Sequence, residues 1–279
     1  IDRTILSLLV GPIRADLGIS DTGFSLLHGI AFALFYTVVG IPIGRLADRS
    51  NRRNIIAVGI AAWSLATAAC GLARSFTQLF LARVLVGVGE ASLSPAAYSM
   101  IADLFPRERV GRALGVYSSG VFVGIGLSFL IGGATIAWVS TSPLFAGSPF
   151  SPWQITFFLV GLPGLAVAAL ALTLREPARR RLPGRDPAAA HGAAPLGEVR
   201  AWFTAHRSTY LGHFIGFSLL TLVFNAIMAW APEYFIRIHG MSRADAGFRL
   251  GLIVLLFGGT GITAGGIVSH EFYESDAAR

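Results

Sequence analysis

The chain has 279 residues, of which 54% are hydrophobic and only 13% are charged. A soluble domain usually has about 25% charged residues, so the composition argues against a soluble globular protein. The net charge of +7 does not indicate a nucleic-acid-binding protein, because the basic residues, all of them arginine, are concentrated in particular loops. A lone cysteine, Cys70, leaves no disulfide framework and no cysteine metal site.

The apolar residues form eight segments, most of them about 20 residues long, which is the length that a helix needs to cross a bilayer. We therefore expect an all-α integral membrane protein. The first segment is shorter and corresponds to the second half of a helix, and we expect the chain to be cut at both ends. The predicted spans are residues 1–14, 23–44, 54–73, 77–101, 112–138, 153–174, 208–231 and 246–269.

Arginines are distributed unequally between the two ends of these spans. The loops after the second, fourth and sixth segments contain 14 arginines, whereas the opposite loops contain five. Cytoplasmic loops carry the excess of basic residues in membrane proteins, so the arginine-rich end is predicted to be cytoplasmic. The loop at residues 139–152 has no charged residue, as expected for a segment on the far side of the membrane.

The only long polar stretch, residues 175–207, is predicted to be a flexible cytoplasmic linker. It divides the chain into an N-terminal transmembrane bundle, residues 1–174, and a partial C-terminal bundle, residues 208–279. A weak repeat supports a duplicated architecture, because Gly18-Ile19-Ser20 opens the second segment and Gly240-Met241-Ser242 opens the eighth. Internal repeats of this kind are typical of secondary transporters.

The loop after the second segment reads Gly-Arg-Leu-Ala-Asp-Arg-Ser-Asn-Arg-Arg. Its glycine would let two helix ends approach closely, and its acid can pair with the arginines or cap a neighbouring helix. The loop resembles the signature between the second and third helices of the major facilitator superfamily, with Asn51 in place of the usual glycine and suited to the same left-handed turn. We predict a latch that is made in one conformation and broken in another; a plain basic loop is the alternative. The latch residues are Gly44, Asp48, Arg49, Arg52 and Arg53.

The fourth segment contains two charged residues that belong in the middle of the membrane, Arg83 and Glu90. They are seven positions apart, which places them on one face of a helix. Charges at this depth are costly and are functional by default, although a buried structural pair is the alternative. An arginine followed by a glycine-rich turn also resembles the fourth-helix motif of the superfamily.

Four more polar residues lie in the predicted spans. Asp2 and Arg3 are in the first segment, either within the membrane and facing a central cavity or at a helix end. His28 and Asn225, in the second and seventh segments, either hydrogen-bond between helices or take part in proton transfer or solute contact.

The Asp2-Arg3 pair, the Gly-Glu-Ala run at 89–91 and the Ile-Ala-Asp-Leu-Phe-Pro run at 101–106 make the chain similar to the Spinster branch and its bacterial relatives. The resemblance implies a twelve-helix, two-bundle fold in the bacterial cytoplasmic membrane, with about eight helices present here, and a monomer that works by alternating access. It also implies lipid-like, amphipathic solutes such as lysophospholipids or sphingoid phosphates. After residue 266 the chain departs from the superfamily, which would continue with a second Asp-Arg loop.

Together these features predict a secondary transporter for a small anionic or lipid-like solute, coupled to protons and surrounded by membrane lipids. Glu90 and Asp2 are the candidates for proton coupling. Arg3, Arg83, His28 and Asn225 are the candidates for substrate binding. We expect no cofactor and no bound metal.

Two alternatives remain open. The first is another major facilitator activity, either organic-anion uptake or drug efflux. The second is a membrane sensor or scaffold without transport, or an inactive fragment. An enzyme is not expected, because the sequence has no metal-ligand cluster, no nucleophile–base pairing and no phosphate-binding loop.

Overall fold

The computed structural model describes residues 2–180 and 196–261, with the side chains of Asp2, Arg3 and Leu196 left out. All regular secondary structure in these ranges is helical, as the apolar segments predicted. The α-helices are α1 (Asp2–Ile5), α2 (Val10–Leu17), α3 (Asp21–His28), α4 (Ile30–Ala47), α5 (Arg52–Cys70), α6 (Phe76–Glu90), α7 (Leu93–Leu104), α8 (Arg107–Thr141), α9 (Pro152–Gly161), α10 (Pro163–Ala171), α11 (Leu196–Ala205), α12 (Arg207–His239) and α13 (Arg243–Ile253).

Seven helical stretches in the described part of the chain are long and apolar enough to cross a membrane. They match the second to eighth predicted segments but extend beyond most of them, because polar caps add turns that hydropathy alone does not reveal. Ser20 and Ser75, for example, each accept a hydrogen bond from a backbone N–H of the following helix. The spans are Asp21–Ala47, Arg52–Cys70, Phe76–Leu104, Arg107–Thr141, Pro152–Ala171, Arg207–His239 and Arg243–Gly261.

The first predicted segment forms the centre of the apolar core. It consists of α1, a short 3-10 turn at Leu6–Leu8, and α2. Six of its leucine, isoleucine and valine side chains are fully buried and belong to one cluster with aromatic residues from three other spans. The members of this cluster include Ile5, Leu8, Leu9, Ile13, Phe24, Phe129 and Phe157.

Three spans are interrupted near their middle. Gly29 separates α3 from α4, the Ala91–Ser92 turn separates α6 from α7, and Leu162 separates α9 from α10. Breaks inside a membrane must have their freed backbone groups satisfied within the protein. At the second break the Ser92 hydroxyl donates to the Gly89 carbonyl, at 2.8 Å. Broken helices at this depth are typical of binding sites in transporters.

Two glycines allow helix backbones to come into direct contact. A Cβ atom at Gly87 would lie 2.6 Å from the Phe32 carbonyl oxygen, so α6 packs tightly against α4. A Cβ atom at Gly247 would lie 2.7 Å from the Phe129 carbonyl oxygen, so α13 of the second half packs equally tightly against α8 of the first half. The close approach predicted at Gly44 is wrong, because a Cβ there would meet Pro95 at an ordinary 3.9 Å.

The weak sequence repeat has the same backbone geometry in both copies. Gly18 and Gly240 each end a helix with φ at +63°, a left-handed conformation that favours glycine. Ser20 and Ser242 then cap the following helices α3 and α13. The repeat therefore marks equivalent turns at the end of the spans opposite the arginine-rich loops, here called the outer end.

The left-handed turn predicted at Asn51 is wrong. Asn51 has φ −71° and ψ 112°, and its side-chain oxygen accepts a hydrogen bond from the backbone N–H of Asn54, at 3.0 Å. An N-cap residue takes an extended backbone, so the short amide is used to start α5 instead of to turn the chain.

The polar stretch after the sixth span differs from the predicted flexible linker at both of its described ends. Its first residues are bonded to the loop that follows α4, as detailed below, and residues 196–205 form α11. The middle of the linker and the sequence departure after residue 266 lie outside the described residues.

Candidate functional site

The Arg83 side chain is fully buried in the middle of the protein. Its guanidinium Nε, Nη1 and Nη2 atoms have no hydrogen-bond partner among the residues whose side chains the structure describes. The guanidinium lies over the ring of Phe32, with 5.7 Å between Cζ and the ring centroid. A cation–π contact offsets only part of the cost of removing a charged guanidinium from water. The rest of that cost is not offset by any hydrogen bond from the described side chains.

Aromatic and hydroxyl side chains extend from this arginine toward the arginine-rich end. Phe32 stacks on Tyr36 along α4, with 5.5 Å between ring centroids. The Tyr36 hydroxyl is 3.2 Å from the Ser94 hydroxyl on α7. Aromatic rings therefore separate the buried guanidinium from the hydroxyl groups nearer the arginine-rich end.

Glu90 is the last residue of α6 and the midpoint of the Phe76–Leu104 span. Its side chain is half-buried. Arg83 lies on the same helix, seven positions earlier, and its guanidinium has no hydrogen-bond partner among the residues whose side chains are described. The break directly after Glu90 places this carboxyl where the helix is interrupted.

The other predicted site residues occupy different surroundings. His28 ends α3 beside the Gly29 break, half-buried, with its ring stacked on Phe24 at 6.3 Å. Asn225 is exposed on α12 and its amide donates to the Thr221 carbonyl one turn earlier, at 2.8 Å. Asp2 and Arg3 lie in α1, and their side chains are outside the described part of the structure.

At the arginine-rich end, Arg52 is fully buried and its guanidinium is bonded on every side. Its Nε donates to Glu176 at 2.7 Å, and its Nη1 donates to Asp103 and to the Ser99 hydroxyl. Its Nη2 donates to the Pro177 carbonyl, at 2.9 Å. Arg52 thereby joins α5, α7 and the chain that follows the sixth span.

Four neighbouring bonds complete this cluster, which we call the inner network. The backbone N–H of Arg53 donates to Glu176 at 2.9 Å. The Arg179 guanidinium donates to the Ala47 and Ser50 carbonyls, and the Arg180 N–H donates to Asp103. Burial by itself would raise the pKa of the Glu176 carboxyl, but the bonds from Arg53 and Arg52 outweigh burial and hold this pKa below its ordinary value.

The inner network includes only part of the predicted latch. Asp48 and Arg49 are exposed, and neither side chain has an ion pair within the described residues. The acids that hold Arg52 are Asp103, from the run at residues 101–106, and Glu176, from the predicted linker. The signal available in the sequence was that each acid lies beside arginines at the same end of the spans.

At the outer end, Asp21 and Arg237 connect the two halves of the chain. The Asp21 carboxylate at the start of α3 accepts two hydrogen bonds from the Arg237 guanidinium on α12, at 2.8 and 2.9 Å. Arg14 also reaches Asp21, at 3.1 Å, and Arg237 also reaches Glu233, at 2.7 Å. This bidentate pair was not predicted, because the two residues are 216 positions apart.

The sequence signature of the Major Facilitator Superfamily matches residues 1–273. The chain belongs to this superfamily. Its members are transporters, not enzymes.

Individual relatives are consistent with this membership. A protein of Mycolicibacterium smegmatis named MFS-type efflux pump is 29% identical over 276 residues, covering 99% of this chain and 60% of that protein. The probable L-galactonate transporter of Escherichia coli is 28% identical, covering 96% of this chain and 58% of that protein.

A solved structure supports the predicted resemblance to the Spinster branch. A bacterial homologue of the human lysosomal transporter Spinster, in an inward-facing and unoccupied conformation, aligns with a TM-score of 0.81 and 34% identity. The alignment covers 97% of this chain and 59% of that chain. The present chain thus spans about three fifths of the length of the proteins that it matches.

We predict that Glu176→Gln lowers the stability of the inner network by about 1–3 kcal/mol, because Arg52 stays buried while one of its charged acceptors is lost. The pKa of Glu176 is lowered in the folded state, so its contribution is present above the unfolded value of about 4.3 and is lost as the pH falls below it. Thermal unfolding of the purified protein in detergent, at pH 7 and at pH 4, measures the difference. Glu108→Gln, at an exposed acid of the same end, is the matched control, and an equal melting point for the two variants would contradict the network.

We predict that Asp21 and Arg237 are energetically coupled, weakly, as expected for an ion pair between half-exposed side chains. A double-mutant cycle of Asp21→Asn and Arg237→Gln measures the coupling through thermal unfolding. The combination of Asp21→Asn with Arg74→Gln serves as the additive control. Spin labels at the exposed positions Thr22 and Ile238, with Cys70 replaced by serine, measure the distance between the halves at the outer end. In either single variant, we expect about a fivefold increase in the ratio of long to short label distances. An unchanged distance distribution would show that the pair does not hold the halves together.

Proposed function

We propose that the protein is a secondary transporter that moves a small anionic solute across the membrane by alternating access. The observation that carries this proposal is the fully buried Arg83 guanidinium, which has no hydrogen-bond partner among the described side chains. An unpaired buried charge costs several kcal/mol, and an incoming carboxylate or phosphate would remove that cost. Binding of the solute would thus remove the cost of leaving this buried charge unpaired.

The character of the surrounding surface supports an amphipathic solute. Phe32, Tyr36 and Ser94 provide apolar area with few polar groups, which suits a molecule with an anionic head and an apolar body. The structural similarity to a Spinster homologue favours the same class. The relative named for L-galactonate, a sugar acid, favours a second candidate, the uptake of a small hydrophilic organic anion.

Glu90 is proposed as the proton-coupling residue, with Asp2 as a second candidate. Glu90 is half-buried at the midpoint of its span, beside the helix break. Uptake of a proton by a carboxyl at this depth changes the charge of the site, and the change can be transmitted through the break. His28, Arg3 and Asn225 remain candidates for solute contact.

The two charged clusters support a rocking motion of the halves. The Asp21–Arg237 pair connects the halves at the outer end, whereas the inner network connects only elements of residues 47–180. We propose that the outer end is closed in this arrangement and opens when the Asp21–Arg237 pair separates. In this orientation the arginine-rich end faces the cytoplasm, and the membrane is the bacterial inner membrane.

We predict that Arg83→Met abolishes the stabilisation of the purified protein by anionic solutes, with binding weakened at least about 30-fold, whereas Arg83→Lys retains part of it. The ligand-free melting point of Arg83→Met should be equal to or higher than that of the wild type, since an unpaired buried charge is replaced by an apolar side chain of similar length. The measurement is a thermal-shift titration with lysophospholipids, sphingoid phosphates and sugar acids.

Arg74→Met, at an exposed arginine, is the control for this titration. Stabilisation by lipid-like anions alone supports the Spinster-type solute, and stabilisation by sugar acids alone supports the second candidate. A drug-efflux protein would respond to cationic drugs and not to anions. Equal responses of Arg83→Met and the wild type would reject the anion site.

We predict that Glu90→Gln removes the dependence of transport on a proton gradient, because an amide cannot take up a proton. Solute flux in proteoliposomes, with and without a pH difference of two units, measures this dependence. Counterflow at equal pH should persist in the variant, since exchange needs no net proton movement. Glu108→Gln is the control, and a variant that still responds to the gradient would show that another group couples the proton. Binding without any counterflow, in the wild type as well, would favour a sensor or scaffold.

A further inference from the structure

A second cationic site lies between α7 and α8 at the arginine-rich end, away from the Arg83 site. It is a cleft of about 440 Å³ beside the turn that joins the two helices. Phe105 lies at the end of α7, and Arg109, Arg112, Val116 and Tyr117 come from the start of α8. These four α8 positions share one helix face, since they are spaced by three, four and one residues.

The cleft has two chemically distinct parts. Arg109 and Arg112 occupy the first turns of α8, at the arginine-rich end of the span. Val116 and Tyr117 follow one to two turns deeper, and Phe105 faces them from α7. Val116 is 75% exposed and Phe105 is 41% exposed, so apolar surface is left uncovered below the two guanidinium groups.

The charges of Arg109 and Arg112 are not neutralised by the described part of the protein. Both side chains are exposed, and neither has an ion pair or a side-chain hydrogen bond with any described residue. The nearby acid Asp103 is already bound to Arg52 and to the backbone of Arg180. The pair therefore has no acceptor among the described residues, and an anion from outside the chain could bind to it.

We propose that this cleft binds an anionic phospholipid of the cytoplasmic leaflet. The phosphate would lie between Arg109 and Arg112, and an acyl chain would cover Phe105, Val116 and Tyr117. Basic pockets between membrane helices at the cytoplasmic side bind acidic headgroups through this combination of charge and position. A bilayer lipid fits the site better than free phosphate does, because only a lipid covers the apolar part of the cleft.

The site is separate from the proposed transport site. Its residues belong to α7 and α8 at the end of the bundle, whereas Arg83 is buried within α6. The inference therefore does not depend on the nature of the transported solute. A lipid held here would contact α7, which follows the central break, and α8, whose backbone touches α13. It would therefore hold the inner end of α7 against α8.

The test is native mass spectrometry of the purified protein, released from nanodiscs made of equal parts phosphatidylglycerol and phosphatidylcholine. The wild type should retain phosphatidylglycerol over phosphatidylcholine by about tenfold or more, as expected for two arginines near the surface. Arg109→Gln combined with Arg112→Gln should reduce this preference to about twofold or less. Val116→Trp, which fills the apolar part, should lower retention of both lipids. Arg107→Gln, a neighbouring arginine outside the cleft, should behave as the wild type.

Three results would overturn the proposal. Equal retention of the two lipids by the wild type, or an unchanged preference in the double variant, would show that the arginines do not select a headgroup. Displacement of the lipid by millimolar glycerol phosphate would show that the site takes the phosphate alone. Loss of the preference in Arg83→Met would show that the retained lipid is at the central site, because this variant leaves the α7–α8 cleft intact.

Discussion

The structure depends on the cost of placing arginine in an apolar, membrane-crossing bundle. Three arginines meet this cost in different ways. Arg52 is buried and bonded to two acids, a hydroxyl and a carbonyl, so its charge stabilises the surrounding elements. Arg237 shares its charge with one acid of its own helix and one acid of the other half. Arg83 is buried over an aromatic ring and has no acceptor in the described part of the chain, which leaves a place for an anion.

The positions of these arginines relate the fold to a transport cycle. A bonded cluster at one end stabilises the first bundle as a unit, because Arg52 links α5 and α7 to the chain after the sixth span. A two-bond contact at the other end joins Asp21 to the second half and is exposed enough to open at modest cost. Between them, α3–α4 and α6–α7 are interrupted at Gly29 and Ala91–Ser92, and Arg83 lies on α6. A bonded unit, a separable contact and a central charge without a described acceptor are consistent with the alternating access proposed above.

Much of the fold was predictable because hydropathy and arginine distribution are local properties of the sequence. The span boundaries moved by a few residues, since caps such as Ser20 and Ser75 lie outside the apolar runs. The latch was only partly predictable. The motif includes Arg52, but the acids that bind it are far along the chain, and the predicted acid Asp48 is exposed. The Asp21–Arg237 pair could not be predicted, because neither residue lies in a motif.

The sequence by itself determined that this is an all-helical membrane protein of the major facilitator superfamily, which residues of it are charged at membrane depth, and which end is rich in arginine. The helical membrane class and the basic end follow from hydropathy and arginine distribution, and the superfamily follows from the resemblance of its loop motifs. None of these needs knowledge of distant contacts. Only the tertiary structure decided which charges are neutralised. Whether a guanidinium such as that of Arg83 or Arg52 finds an acceptor depends on side chains brought together from different helices, and that pairing decides whether an arginine stabilises the fold or is left to bind a solute.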